Sequence, residues 1–293
     1  MKIREGYMDF KGLKTYWRVA GESNGTKKPI IFLHGGPGSS HNYFEVLDGL
    51  AEEGRELVMY DQIGCGKSPA PGRTDLFNRD VWVEELIALR KELRIGECHI
   101  LGQSWGGMLL LEYVCGEHPE GIRSIILSST LPEVPLWDSE LHRLVRELPQ
   151  EMQDAIARAE ATGDYSDPDY IAANEEYMLR HCAPKWTDKD PECLTRPKGS
   201  GREAYVTGWG ENEYTPTGTL RNYNRSADLK DIKVPALITN GIYDLCTPVV
   251  AKFMFDNIPG AKWELFNHSR HMAFAEENEK YMKVLSAWLA END

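Results

Sequence analysis

The sequence predicts an α/β fold, a mostly parallel sheet with helices on both faces, interrupted once by a mainly helical insertion. Three observations carry this expectation. Over the first 130 residues, short apolar runs bounded by turn residues alternate with amphipathic stretches. The same rhythm returns after about residue 229. Between them, residues 131–228 are richer in Glu, Arg, Trp and Pro and read as helices.

In chain order, residues 1–9 and 13–19 read as a hairpin turned at Phe10-Lys11-Gly12. Residues 28–33 (KPIIFL) form an apolar run of the kind that suits a strand buried on both faces, and it ends at His34-Gly35-Gly36-Pro37-Gly38. A helix is expected over 42–52, then a strand over 56–60 running into Asp61-Gln62-Ile63-Gly64-Cys65-Gly66-Lys67-Ser68. Val81, Leu86, Leu89 and Leu93 share one face of a helix over 79–93. A strand over 98–101 leads into Ser104 and an apolar helix to about Gly116, followed by a strand over 124–127. Within the insertion, helices are expected over 138–148 and 151–161. The closing elements are a strand at 234–239 (VPALIT), a helix at 248–257, a strand at 262–266 and a helix at 277–289.

Composition excludes several function classes. With 33 Lys and Arg against 46 Asp and Glu, the formal charge of −13 opposes a nucleic-acid partner, which needs clustered cations. No apolar run reaches the roughly 18 residues of a membrane span, and residues 1–12 (MKIREGYMDFKG) do not read as a signal peptide. Six scattered cysteines without a CxxC pair, and no HxH or HExxH cluster, give no reason to expect a metal or other cofactor. A reduced, cytoplasmic protein is the simplest expectation, and nothing here reads out its oligomeric state.

The strongest motif is Gly102-Gln103-Ser104-Trp105-Gly106, a G-x-S-x-G elbow between an apolar strand and a helix. Such a turn holds a serine oxygen out at the carboxyl edge of a sheet, near the positive end of the following helix. Acyl transfer also needs donors for the developing oxyanion. The backbone amide of Trp105 is one candidate, and Gly36, in the glycine-rich loop after an earlier strand, is the other.

A nucleophilic serine needs a base, and the base an orienting carboxylate, each on a loop after a late strand. Asp244, in Gly241-Ile242-Tyr243-Asp244, follows the VPALIT strand. His268 and His271 both follow the strand ending at Phe266, and His271 is preferred because Met272-Ala273-Phe274 leads from it into the last helix. His34 is expected to be structural. The Gly66-Lys67-Ser68 tripeptide imitates a phosphate loop, but Pro69 and Pro71 prevent the helix such a loop requires.

Together, HGGPG at 34–38, YDQIGCGKS at 60–68, GQSWGG at 102–107, GIYDLCTP at 241–248 and the His271 segment resemble the proline iminopeptidase (prolyl aminopeptidase) family of α/β-hydrolases. The resemblance runs over nearly the whole chain. It implies a serine exopeptidase of the α/β-hydrolase fold, with 1–130 and 229–293 as the core and 131–228 as a helical cap over the site. It implies that Ser104, Asp244 and His271 form the catalytic set. It further implies that Glu213, in Gly210-Glu211-Asn212-Glu213-Tyr214-Thr215, holds the free amine of a small peptide or amino-acid amide, with Tyr205 lining the first-residue pocket. One departure stands out: some members carry a second acid directly after the triad aspartate, and here that residue is Leu245. Glu211 or Glu203 could stand in for it. An amino-acid amidase or carboxylic-ester hydrolase of the same fold, without strict proline preference, is the alternative.

Overall fold

Along each central strand, successive apolar side chains enter two different cores. Ile31, Leu33, Val58, Tyr60, Ile100, Ile125, Leu127 and Ile238 belong to one cluster, while Ile30, Phe32, Leu57, Met59, Leu101, Ile126 and Leu237 belong to the other. A period of two with both faces apolar is what a parallel sheet sandwiched by helices requires.

The computed structural model describes residues 1–293. Its strands are β1 (Ile3–Phe10), β2 (Leu13–Ala20), β3 (Ile30–Leu33), β4 (Leu57–Tyr60), β5 (Cys98–Gln103), β6 (Ile122–Ser128), β7 (Ala236–Gly241) and β8 (Lys262–Phe266). They form one sheet in the order β1-β2-β4-β3-β5-β6-β7-β8. β1 pairs with β2, and β2 with β4, antiparallel; every other pairing is parallel. Because parallel neighbours share direction, the loops after β3, β5, β7 and β8 gather at one edge.

The helices are α1 (Arg79–Glu92), α2 (Trp105–Glu112), α3 (Val134–Val145), α4 (Gln150–Thr162), α5 (Pro168–His181), α6 (Glu192–Thr195), α7 (Arg202–Gly208), α8 (Pro248–Asn257), α9 (Ala273–Glu276) and α10 (Asn278–Asn292). Helices α3 to α7 all fall between β6 and β7. No helix is long and apolar enough to cross a membrane.

Two expectations need correction. The helix expected over 42–52 is wound as a 3₁₀ helix, His41–Glu53; Asn42, Asp48 and Gly49 are poor α-helix formers. Helix α5 was not among the expected elements. Its buried stripe is Tyr170, Ala173, Tyr177 and His181, weakly apolar by composition. Its start was readable all the same: Asp167 caps the Asp169 amide and Pro168 takes the first helical turn.

Candidate active site

Ser104 sits at the junction of β5 and α2 with φ 56° and ψ −125°, a conformation costing a non-glycine residue about 1–3 kcal/mol. Contacts on every side hold it there. Its amide donates to the Ser128 carbonyl, and its carbonyl accepts from Gly107, Met108 and the Thr130 hydroxyl. The elbow also needs Gly106: a Cβ there would come within 2.0 Å of the Leu33 carbonyl oxygen. The Trp105 side chain points away from the site, its indole donating to Gln62 Oε1 at 2.7 Å. Its amide, on the first residue of α2, has no intrahelical acceptor and stands at the positive helix end.

The loop after β3 lies across from the elbow. Gly36 has φ 116°, open to glycine and strained for any side chain, and a Cβ would also meet the Gly38 amide at 2.4 Å. His34 holds this loop. Its Nε2 accepts from the Gln62 amide at 3.0 Å, so Nδ1–H donates to the Gly35 carbonyl at 2.9 Å. Burial pushes its imidazole down to about 4, which keeps it neutral for that arrangement. Two residues missing from the motif reading complete the frame. The Tyr43 hydroxyl accepts from the Gly35 amide at 2.5 Å and donates to Gln103 Oε1 at 2.9 Å. Gln103 Nε2 then donates to the His271 carbonyl at 3.4 Å. Gln103 lies inside the elbow motif and could have been suspected; nothing in the sequence flags Tyr43.

Asp244 and His271 meet across the loops after β7 and β8. His271 Nδ1 donates to Asp244 Oδ1 at 2.6 Å. The Cys246 amide donates to the same oxygen at 2.8 Å, and the Gly241 amide to Oδ2 at 3.2 Å. With its proton on Nδ1, the neutral ring carries its lone pair on Nε2. Burial disfavours the charged ring, but the charge and hydrogen bond of Asp244, aided by Glu213 and Glu276, outweigh it and raise the imidazole above its ordinary range. His268 is exposed, its amide bound to Glu277. Ser104 and His271 border one cavity without a direct hydrogen bond between them, a separation common before substrate closes a site.

That cavity, about 310 Å³, is also lined by Gly36, Tyr205, Glu213 and Leu245. Glu213 is fixed through its backbone: its carbonyl accepts from the Trp137 indole at 3.0 Å and the Trp209 indole at 3.3 Å. Its carboxylate accepts from the Tyr205 hydroxyl at 2.8 Å. Burial pushes Glu213 up, opposed by the Tyr205 hydrogen bond and by His271 and Lys198. Leu245 is buried in the cavity wall. The two suggested replacements for a second acid face elsewhere: Glu211 pairs with Arg202, and Glu203 accepts from the Gly72 amide at 3.1 Å. The arrangement therefore brings together one serine hydroxyl, one imidazole with its carboxylate partner and a single cavity carboxylate, with Gly36 in the wall and Trp105 outside the lining.

The Gly66-Lys67-Ser68 turn is structural. Asp61 Oδ2 accepts from the Lys67 amide at 2.8 Å, and the Ser68 hydroxyl donates to the Asp61 carbonyl at 2.7 Å. Cys65 and Cys246 are buried, and burial pushes both thiols well up, which makes them poor nucleophiles.

A model of the α/β hydrolase fold family matches residues 28–278. The chain is 59% identical over 293 residues to a proline iminopeptidase of Clostridium botulinum (strain Hall), with 100% of both chains covered. Among solved structures it resembles VinJ, with TM-score 0.91 and 30% identity over 99% of each chain. It also resembles a proline iminopeptidase of Mycobacterium smegmatis, with TM-score 0.87 and 30% identity over 99% of this chain and 98% of that one.

Proposed function

The chain belongs to the α/β hydrolase fold family and, within it, to the proline iminopeptidases, and we infer from this membership and its site that it releases an N-terminal residue, foremost proline, from short peptides, amides or arylamides through an acyl-enzyme. The single observation that carries the reading is one cavity bordered by Ser104, His271 and Glu213 together.

In this reading Glu213 receives the substrate's ammonium, which in a desolvated pocket needs an anionic partner. Tyr205 orients that carboxylate, and residues 131–228 act as the cap that carries both. Ser104 Oγ attacks the carbonyl carbon while its proton passes to His271 Nε2, and Asp244 stabilises the imidazolium. The amides of Gly36 and Trp105 receive the oxyanion. Collapse of the tetrahedral intermediate breaks the C–N bond, with His271 giving its proton to the departing amine. Water, activated by the same ring, then frees the amino acid. Six cysteines without a disulfide support a reducing, cytoplasmic setting.

The second reading, an amidase or esterase without strict amine selection, is favoured by one observation, Leu245 in the wall where a second acid would stand. Hydrolysis of a prolyl arylamide with free and acetylated amine separates the two. Proline iminopeptidase activity predicts at least about a tenfold preference in kcat/KM for the free amine, and loss of turnover by about 10⁴-fold or more in Ser104→Ala. Equal rates on both substrates would transfer the case to the amidase or esterase, and an active Ser104→Ala would end the serine mechanism.

A further inference from the structure

The cavity has a second charged side chain without an assigned use. Besides His271 and Glu213, it is bordered by two cations, Lys198 and Arg202. Arg202 is paired with Glu211, whereas Lys198 forms no ion pair and no side-chain hydrogen bond. The backbone that presents Lys198 is tied to the core on both sides. Before it, the Arg196 guanidinium binds Glu45 at 2.6 Å. After it, the Gly66 amide donates to the Ser200 carbonyl at 2.8 Å and the Ser200 hydroxyl to the Gly66 carbonyl at 2.9 Å. The segment is therefore anchored at the edge of the cavity, and Lys198 itself is exposed. Its field reaches Glu213 and Cys182 within the cavity.

An anion inside and an unpaired, exposed cation give the cavity two opposite charged points, with Ser104 also in its lining. We propose that Lys198 is a carboxylate-binding subsite on the leaving-group side, so that the preferred substrates are short peptides whose free C-terminal carboxylate lies against its ammonium. The inference rests on the aminopeptidase reading, since it assigns the amine to Glu213. A cavity near the lower end of ligand-pocket sizes suits such a short zwitterion. The contact is solvent-exposed, so its effect is modest and falls as salt rises.

The test compares kcat/KM for prolyl-alanine with prolyl-alanine amide, taking the acid-to-amide ratio within each variant so that differences in folded fraction cancel. Wild type should favour the free acid by about fivefold, with the ratio shrinking at high ionic strength. Lys198→Gln should bring the ratio to near one, Lys198→Glu below one, and Lys198→Arg should restore it. A wild-type ratio near one, or a ratio that Lys198→Gln leaves unchanged, overturns the subsite while leaving the aminopeptidase reading intact. If wild type fails to hydrolyse a prolyl arylamide, which carries no carboxylate, it is the aminopeptidase reading that falls, and the subsite with it.

Discussion

The sheet with its edge loops and the insertion between β6 and β7 contribute different things to one cavity. Ser104, Asp244 and His271 follow β5, β7 and β8 by one, three and five residues, and Ser104 and Asp244 are held by hydrogen bonds to backbone groups at or near strand ends. Glu213, Tyr205 and Lys198 come from the insertion, where Glu213 is held by contacts far apart in sequence, such as the Trp137 indole on its carbonyl. The first group is positioned by covalent proximity to a rigid sheet, the second by packing. In the proposed mechanism the reacting groups thus sit on the rigid scaffold, and the groups proposed to choose a substrate sit on the insertion.

The two parts are joined where the chemistry is. The His271 amide donates to the Cys182 carbonyl at 3.1 Å, and the Leu245 amide to the His181 carbonyl at 3.2 Å. His181 Nδ1 donates to the Tyr243 carbonyl at 3.0 Å. The end of α5 therefore braces both the aspartate and the histidine loops, and Thr247 adds a hydrogen bond to Glu140 of α3 at 2.7 Å.

The sharpest way to isolate the core's contribution is Asp244→Asn, which leaves shape nearly unchanged but removes the charge that fixes the His271 tautomer. It should lower kcat by about 10⁴-fold with little change in KM; a loss under tenfold would mean the ring is oriented by something else. Glu213→Gln should act differently, cutting kcat/KM for free-amine substrates by about a hundredfold while moving the acetylated substrate far less.

The same variant tests whether core and insertion are electrostatically coupled. His271 must be neutral to act as base, so activity falls as pH drops through its raised value, above the ordinary 6.5. Glu213 is one of the charges raising it. Removing that charge should move the acid limb of kcat/KM to lower pH, and an unmoved limb would break the coupling. The smallest effect is expected at the hinge of the comparison, the tie from Arg196 to Glu45. Arg196→Met should cost less than about 1 kcal/mol in urea unfolding, since the guanidinium is one-third exposed. It should raise KM more than it lowers kcat.

How much was legible from the residues follows the same division. Strand β8 and helix α8 were readable to the residue, and β7 to within two, because apolar runs and turn residues mark them locally. The same locality set the elbow at Ser104, the glycine loop at Gly36 and the late-loop places of Asp244 and His271. The insertion was harder: α5 buries tyrosine and alanine, which carry little periodic signal, and only its Asp167-Pro168 start announces it.

What the sequence by itself determined is the chemistry available and the scaffold that orders it, since strand alternation and tight turns are short-range properties of the chain. Only the tertiary structure decided which acids face the cavity. It turned Glu213 inward and left Glu203 and Glu211 on other partners, made Leu245 part of the wall, and brought Tyr43 and Lys198 into one cavity with Ser104, from which both are distant in sequence. Those choices come from how α5, α7 and the segments around them pack on the sheet's edge, and packing between distant residues leaves no local pattern to read.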